Sequence, residues 1–170
     1  TSGNVIFNIG LSEQFGLGNN ICTDLGFSWQ HDVKKLENGN LLFFDNGNLS
    51  NIINNTDIKV SRILQIEVID NNNCNIIYEY HIPYESYSSS MGSVQLLDNN
   101  NYLISARSQG DGHIFEINSD SDIVWSSYVG GVSNDNYRAF NIPSIHPEAY
   151  SVIFDNLKDI NLGSTKYSGF

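Results

Sequence analysis

One histidine, His31, has the neighbours and the place in the chain that suggest chemistry. It lies between Gln30 and Asp32, where an apolar strand begins. A histidine flanked by these polar residues at the start of a strand is where chemistry would be sought, so His31 is the first candidate for a catalytic residue. The alternative is a structural role, in which a partly exposed His31 packs beside Trp29.

Asp32 follows His31 directly and is the obvious partner to consider for the imidazole. Side chains alternate between the two faces of a strand, so Asp32 is expected to point away from the face of His31. The sequence therefore predicts that Asp32 bonds backbone within its own sheet and does not orient the imidazole.

Three further polar residues are candidates for contacts with a substrate. Asn46 lies between Asp45 and Gly47, in a run typical of an Asx-type turn at the end of the following strand. Arg62 begins the next strand, where it could reach an oxyanion or pair with an acid. Arg107 ends a later strand and could point towards the same end of the fold as His31. Arg62 and Asn46 are the substrate-binding candidates, and a structural role is the alternative for each.

Other short patterns do not indicate a site. Residues 16–18 form a lone G-x-G without the strand–helix context of a phosphate loop. Residues 118–122 begin like a calcium loop, but Ile123 stands where glycine is needed. The sequence has no C-x-x-C and no H-x-H spacing. We therefore expect no metal site and no cofactor.

Composition bounds the class of protein. The chain has 170 residues and a formal net charge of −11, and this acidity argues against a nucleic-acid partner, which requires clustered Lys and Arg. No apolar run is long enough to span a membrane. Cys22 and Cys74 could pair with each other, could each pair elsewhere, or could both be free.

The elements that would position these residues are strands. Short apolar runs alternate with clusters of Asn, Asp, Gly and Ser, and helical periodicity is nearly absent, which is typical of an all-β protein. Asn38 and Gly39 separate two apolar runs, and this pair predicts a tight hairpin in which both residues adopt positive φ.

The same series of strands occurs twice. A strand ending in Leu, an Asn-rich turn, an apolar return strand and two alternating strands fill residues 27–84 and again 91–131. Residues 1–10 resemble the last strand of a preceding unit, and residues 137–170 the start of a further unit or a C-terminal tail. Such repeats are typical of the four-stranded antiparallel blades of a β-propeller. Two blades cannot close a ring, so we predict a single domain, 1–170, that is an incomplete part of a propeller; a smaller sandwich is the alternative.

Five segments of the chain resemble the C-terminal blades of the bacterial arylsulfotransferases. They are residues 27–32, 38–47, 61–64, 91–97 and 122–125. The resemblance covers most of the chain up to about residue 145. It implies a six-bladed propeller and a periplasmic or secreted location.

The resemblance also implies an activity. Members of this family move a sulfuryl group from a phenolic sulfate ester to a phenolic acceptor without a nucleotide sulfate donor, and His31 stands where the family has the histidine that becomes sulfated. The family's other site residues, a His-x-Asn pair, an arginine and a second histidine, come from upstream blades and have no counterpart here. We therefore expect the missing blades to complete the site and this chain alone to be inactive. The alternative is a non-catalytic propeller-type module that binds a protein or a glycan.

Overall fold

The computed structural model describes residues 3–5, 7–11, 19–70, 73–108, 111–130 and 136–142. In chain order its strands are β1 (Phe7–Ile9), β2 (Asn19–Ile21), β3 (His31–Lys35), β4 (Leu41–Asp45), β5 (Arg62–Val68), β6 (Cys74–His81), β7 (Ser93–Leu96), β8 (Tyr102–Ser108), β9 (Asp111–Ile117) and β10 (Ile123–Val129). A short helix, Ser50–Ile53 (α1), follows β4, and 3-10 turns lie at Thr23–Leu25 and Tyr84–Ser86. Among the described residues, no helix has both the length and the apolar character needed to cross a membrane.

Eight strands form two antiparallel four-stranded sheets. The first sheet has the order β3-β4-β5-β6 and the second the order β7-β8-β9-β10. This arrangement confirms an all-β chain built from four-stranded units, and the described strands do not form a closed ring. β1 and β2 form a separate parallel pair. The assignment of residues 1–10 to a preceding unit stays a prediction.

Three hairpin loops share one geometry. In the β3–β4 loop the N–H of Gly39 donates to the carbonyl of Leu36 at 2.9 Å. Gly39 has a φ of 92°, whereas Asn38 is not left-handed, so the expectation of two residues with positive φ is wrong. The loop is a turn closed by one left-handed residue, the usual solution for three-residue hairpin loops. Asn100 and Ser121, with φ of 64° and 68°, take this place in the β7–β8 and β9–β10 loops.

The two sheets pack face to face through one apolar core. The residues of the first sheet in this core include Leu42, Phe44 and Ile63, and those of the second include Val94, Ile104 and Phe115. All of these are fully buried, and each such side chain contributes about 1.5–3 kcal/mol relative to exposure. The other face of the first sheet is covered too, because Phe43, Leu64 and Ile66 pack with Ile21, Leu25 and Phe27. Burial on both faces explains the continuous apolar run of β4.

A disulfide joins Cys22 to Cys74, with the two Cα atoms 5.4 Å apart. Of the three states that the sequence left open, pairing within the chain is the one found. Cys22 is buried in the same cluster as Leu64 and Ile66. The bridge therefore ties the segment that leads towards His31 to the last strand of the first sheet.

Side chains on the first strand of one sheet bond the backbone of the next sheet. The carboxylate of Asp32 accepts the N–H of Val94 at 3.0 Å, and the ammonium of Lys34 donates to the carbonyl of the same residue at 2.7 Å. Two residues of β3, spaced by two, thus hold both backbone groups of one residue of β7. These hydrogen bonds join β3 to β7, in addition to the apolar packing between the two sheets.

The same kind of link recurs between β7 and residues 136–142. The hydroxyl of Ser93 accepts the N–H of Ala139 at 3.1 Å and lies 3.3 Å from its carbonyl. The amide of Gln95 bonds the N–H and the carbonyl of Asn141 at 2.8 and 2.9 Å. The start of a further unit in residues 137–170 stays a prediction, and residues 143–170 lie outside the described part of the chain.

Candidate functional site

His31 is the first residue of β3 and is half-buried. Its Nδ1 lies 3.0 Å from the carbonyl oxygen of Trp29 and 2.6 Å from Oδ1 of Asn46. Within the described part of the chain, Nε2 makes no hydrogen bond. One ring nitrogen, Nδ1, is therefore anchored by hydrogen bonds, and the other, Nε2, is available to react.

Asn46 is the side chain that meets His31, and it is fully buried. Its Nδ2 donates to the carbonyl of Ser88 at 2.6 Å and to that of Met91 at 2.8 Å. Both amide hydrogens have acceptors, and Oδ1 faces Nδ1 of His31. The structure thus brings together two residues singled out in the sequence, but it leaves Asn46 no exposed surface for a substrate.

The carbonyls that hold Asn46 belong to residues 88–92, which we call the strap. The strap leads into β7, and the hydroxyl of Ser61 accepts the N–H of Ser88 at 3.0 Å. At its other end Gly92 has a φ of 109°, and a Cβ there would lie 2.7 Å from the ring of Phe44. One end of the strap is therefore bonded to Ser61, the residue before β5, and the other end lies close against Phe44 of β4.

Asp45 organises the turn beside the site. Its Oδ1 accepts the N–H of Gly47 at 2.9 Å, which confirms the predicted Asx-type turn, and also the N–H of Ser28 at 2.9 Å. Burial raises the pKa of Asp45, while the N–H of Ser28 and the guanidinium of Arg62 oppose this rise. One buried carboxylate thus joins the end of β4 to the segment that leads into β3.

Arg62 lies on the face of the first sheet opposite to His31. His31 pairs with Phe44 and Arg62 with Asp45, and neighbouring residues of a strand face opposite sides. The guanidinium donates to Asp45 at 2.8 Å and to Glu79 at 2.7 Å. Burial alone would lower its pKa, but the hydrogen bonds to both acids raise the pKa of Arg62. The structure pairs Arg62 with acids beside a cavity of about 150 Å³ and does not bring it to His31.

Asp32 departs from its predicted place. The pairing of β3 with β4 shifts register between His31 and Lys34, and Asp32 itself has a φ of 57°, so regular alternation does not hold here. Its carboxylate bonds the N–H of Val94 and the ammonium of Lys34 and lies 3.5 Å from Arg138. Asp32 does bond backbone, as expected, but in the neighbouring sheet and not in its own. It makes no hydrogen bond to the imidazole.

The strap is the part of the site that sequence reasoning missed. It acts through the carbonyls of Ser88 and Met91, and a carbonyl group has no side-chain signature. Met91 adopts a left-handed φ of 65°, for which its residue type gives no signal. Arg107 is the penultimate residue of β8, and its backbone N–H donates to the hydroxyl of Ser88 at 3.1 Å. That arginine therefore lies beside the strap.

Gly47 is a position where a single methyl group should weaken this turn. Gly47 has a φ of 65°, and a Cβ there would lie 1.9 Å from the carbonyl oxygen of Val60. We expect Gly47→Ala to lower the free energy of unfolding by about 3 kcal/mol, the upper end of the usual range for overpacking. Urea unfolding of the chain measures the loss.

The control for this substitution is Gly39→Ala. Gly39 is also left-handed, but no atom lies within 4 Å of the position that its Cβ would take. We expect a loss of about 1 kcal/mol there, from backbone strain alone. Equal losses for the two variants would contradict a role for the contact with Val60.

The arrangement offers nucleophilic chemistry. A half-buried imidazole is anchored through one nitrogen and presents the other, and such a group can form a covalent intermediate. Across the described residues, no group of three or more His, Cys, Asp and Glu could hold a metal ion.

Comparison with known proteins identifies the family. The family model described as arylsulfotransferase (ASST) matches residues 11–131, a range that holds both four-stranded sheets together with His31, Asn46 and Arg62. The search of curated proteins found no significant match. The family model covers more than half of the chain, and the resemblance seen in the sequence is confirmed: the chain belongs to the arylsulfotransferase family.

Proposed function

We propose that the protein transfers a sulfuryl group from a phenolic sulfate ester to a phenolic acceptor, with Nε2 of His31 as the nucleophile. Membership of the arylsulfotransferase family supports the reaction class. The observation that carries the role of His31 is its hydrogen bonding, because Nδ1 meets two oxygen atoms while Nε2 has no partner in the described part of the chain.

The reaction proceeds in two displacements at sulfur. In the first, the Nε2 lone pair attacks the sulfur atom of the donor, an N–S bond forms, and the S–O bond to the aryl oxygen breaks to release phenolate. In the second, the oxygen of the acceptor phenol attacks the same sulfur, the N–S bond breaks and the phenolic proton passes to solvent or a base. The imidazole returns to its starting state, and the kinetics are ping-pong.

The transition state needs hydrogen-bond donors near the sulfuryl oxygens and the leaving oxygen. Asn46 is fully buried and Arg62 is engaged with Asp45 and Glu79. We infer that both residues support the segment around His31 and do not contact the substrate. The donors would then come from further blades of the propeller, and residues 1–170 alone would not turn over substrate.

The protein is proposed to work outside the cytoplasm. The disulfide between Cys22 and Cys74 supports this, because structural disulfides persist mainly in the periplasm, in the secretory pathway and outside the cell. A periplasmic or secreted location also agrees with the expectation from the family resemblance.

Trapping of the covalent intermediate tests the function. Full-length protein is mixed with 4-nitrophenyl sulfate in the absence of an acceptor and quenched in alkali. We expect a burst of one nitrophenolate per protein and a peptide containing His31 that gains the mass of a sulfuryl group. The peptide containing His81 is the internal control and should stay unmodified. Absence of both the burst and the modified peptide would instead favour the non-catalytic binding module.

A further inference from the structure

We propose that Asn46 is a positioning residue that sets the tautomer of His31, so that the proton of the neutral ring lies on Nδ1 and the lone pair on Nε2. The inference rests on the proposed function for its consequence in catalysis. The tautomer itself is a property of the chain that can be measured without any turnover.

The contacts of the Asn46 amide with the strap determine its orientation. Its nitrogen lies 2.6 Å from the carbonyl oxygen of Ser88 and 2.8 Å from that of Met91. Carbonyl oxygens only accept hydrogen bonds, so the group that faces them must be the NH₂ and not the oxygen. If the amide were flipped, three oxygens would meet without a hydrogen in a fully buried site. The strap therefore determines that Oδ1 points to His31.

The neighbours of Nδ1 determine the tautomer of His31. Nδ1 of His31 has two neighbours, Oδ1 of Asn46 at 2.6 Å and the carbonyl oxygen of Trp29 at 3.0 Å. Both are acceptors, so Nδ1 must be the donor, and in a neutral imidazole the other nitrogen then carries the lone pair. The wrong tautomer would place a lone pair against two oxygens and a proton on the nitrogen that must attack sulfur.

Asparagine is the residue type that satisfies both the strap and His31. An aspartate would present one oxygen to His31 but would turn its second oxygen towards the carbonyls of the strap, where a donor is needed.

The strap leads into β7 of the second sheet, whereas His31 and Asn46 belong to the first. The tautomer of His31 thus depends on contact between the first sheet and the segment that leads into the second.

The first experiment measures the tautomer by ¹⁵N NMR of the imidazole nitrogens, at alkaline pH where imidazole is neutral. His31→Ala assigns the signals. In the wild-type chain we expect a protonated Nδ1 and a bare Nε2 for His31. A protonated Nε2 in the wild type would overturn the inference, whatever the variants do.

Two variants and a matched control complete this test. Asn46→Ala should shift the ring towards a mixture of tautomers, because only the Trp29 carbonyl remains at Nδ1. Asn46→Asp keeps an oxygen there and should preserve the Nδ1–H tautomer. Asn48→Ala is the control, since Asn48 also bonds the strap, through Ser89 at 2.8 Å, but does not touch His31. An equal shift of the tautomer in Asn48→Ala and Asn46→Ala would mean that loosening the strap suffices, and it would refute a direct role for Asn46.

The second experiment measures turnover of the full-length variants with 4-nitrophenyl sulfate and phenol. Loss of the outer hydrogen-bond partner of a metal-bound histidine typically costs 10- to 100-fold. By analogy with that range, we expect Asn46→Ala to lower kcat by roughly 10-fold or more with KM little changed, and Asn48→Ala to keep wild-type kcat. An unchanged kcat in Asn46→Ala would contradict the positioning role. A wild-type protein that shows the Nδ1–H tautomer but no sulfuryl transfer would instead count against the proposed function.

Discussion

Replacing His31 with alanine is expected to abolish sulfuryl transfer by the full-length protein. The imidazole is the group that forms the proposed covalent intermediate, and alanine leaves no atom that can attack sulfur. Removal of an enzyme nucleophile lowers kcat by several powers of ten, so we expect a loss on the order of 10⁴-fold or more. Release of nitrophenolate from 4-nitrophenyl sulfate, with phenol as acceptor, measures the rate.

The matched control for this variant is His81→Ala. His81 lies on β6 of the same sheet, its side chain is 60% exposed, and it contacts Glu79 and not the site. Its loss should leave kcat and KM unchanged. If His31→Ala releases nitrophenolate at the wild-type rate, another residue is the nucleophile and the proposed mechanism is wrong.

Opening the disulfide between Cys22 and Cys74 is expected to have the largest effect on stability. The bridge closes a loop with a sequence separation of 52, and the chain-entropy relation gives a stabilisation of about 4 kcal/mol for a loop of this length. We therefore expect dithiothreitol to lower the free energy of unfolding of the chain by about that amount. Urea unfolding with and without the reductant measures it.

The control for reduction is the double variant in which both cysteines are replaced by alanine. It should unfold at a low urea concentration that no longer depends on dithiothreitol. A wild-type midpoint that does not move on reduction would show that the bridge contributes nothing to stability.

Most of the strands that form the two sheets could be predicted from local patterns in the sequence, whereas β2 and the short helix α1 were not predicted. The alternation of Leu64, Ile66 and Val68 with polar residues is a local pattern, and β5 extends from Arg62 to Val68. The position of the hairpin at Gly39 was predicted correctly, but the type of its turn was not. Its neighbour Asn38 accepts positive φ in two-residue hairpins, but here the loop has three residues and only Gly39 is left-handed.

The site could be predicted only in part. His31 was placed at the start of its strand from its neighbours in sequence, and the turn at Asp45 follows from the bonding habits of aspartate. The direction of Asp32 could not be predicted, because an extra residue in β3 breaks the alternation. The partners of Arg62 were left open between an oxyanion and an acid, since its position in the strand does not reveal which acids reach it.

The sequence by itself determined that this chain forms four-stranded antiparallel units with a histidine where one of them begins. Strand periodicity and turn chemistry depend on near neighbours, so they can be read without a structure. Only the tertiary structure decided what holds that histidine. Asn46 meets His31 across 15 residues and the carbonyls of Ser88 and Met91 across 42 and 45. The contacts with Ser88 and Met91 exist only once the segment before β7 has packed on the first sheet, and their acceptors are backbone atoms that every residue type carries.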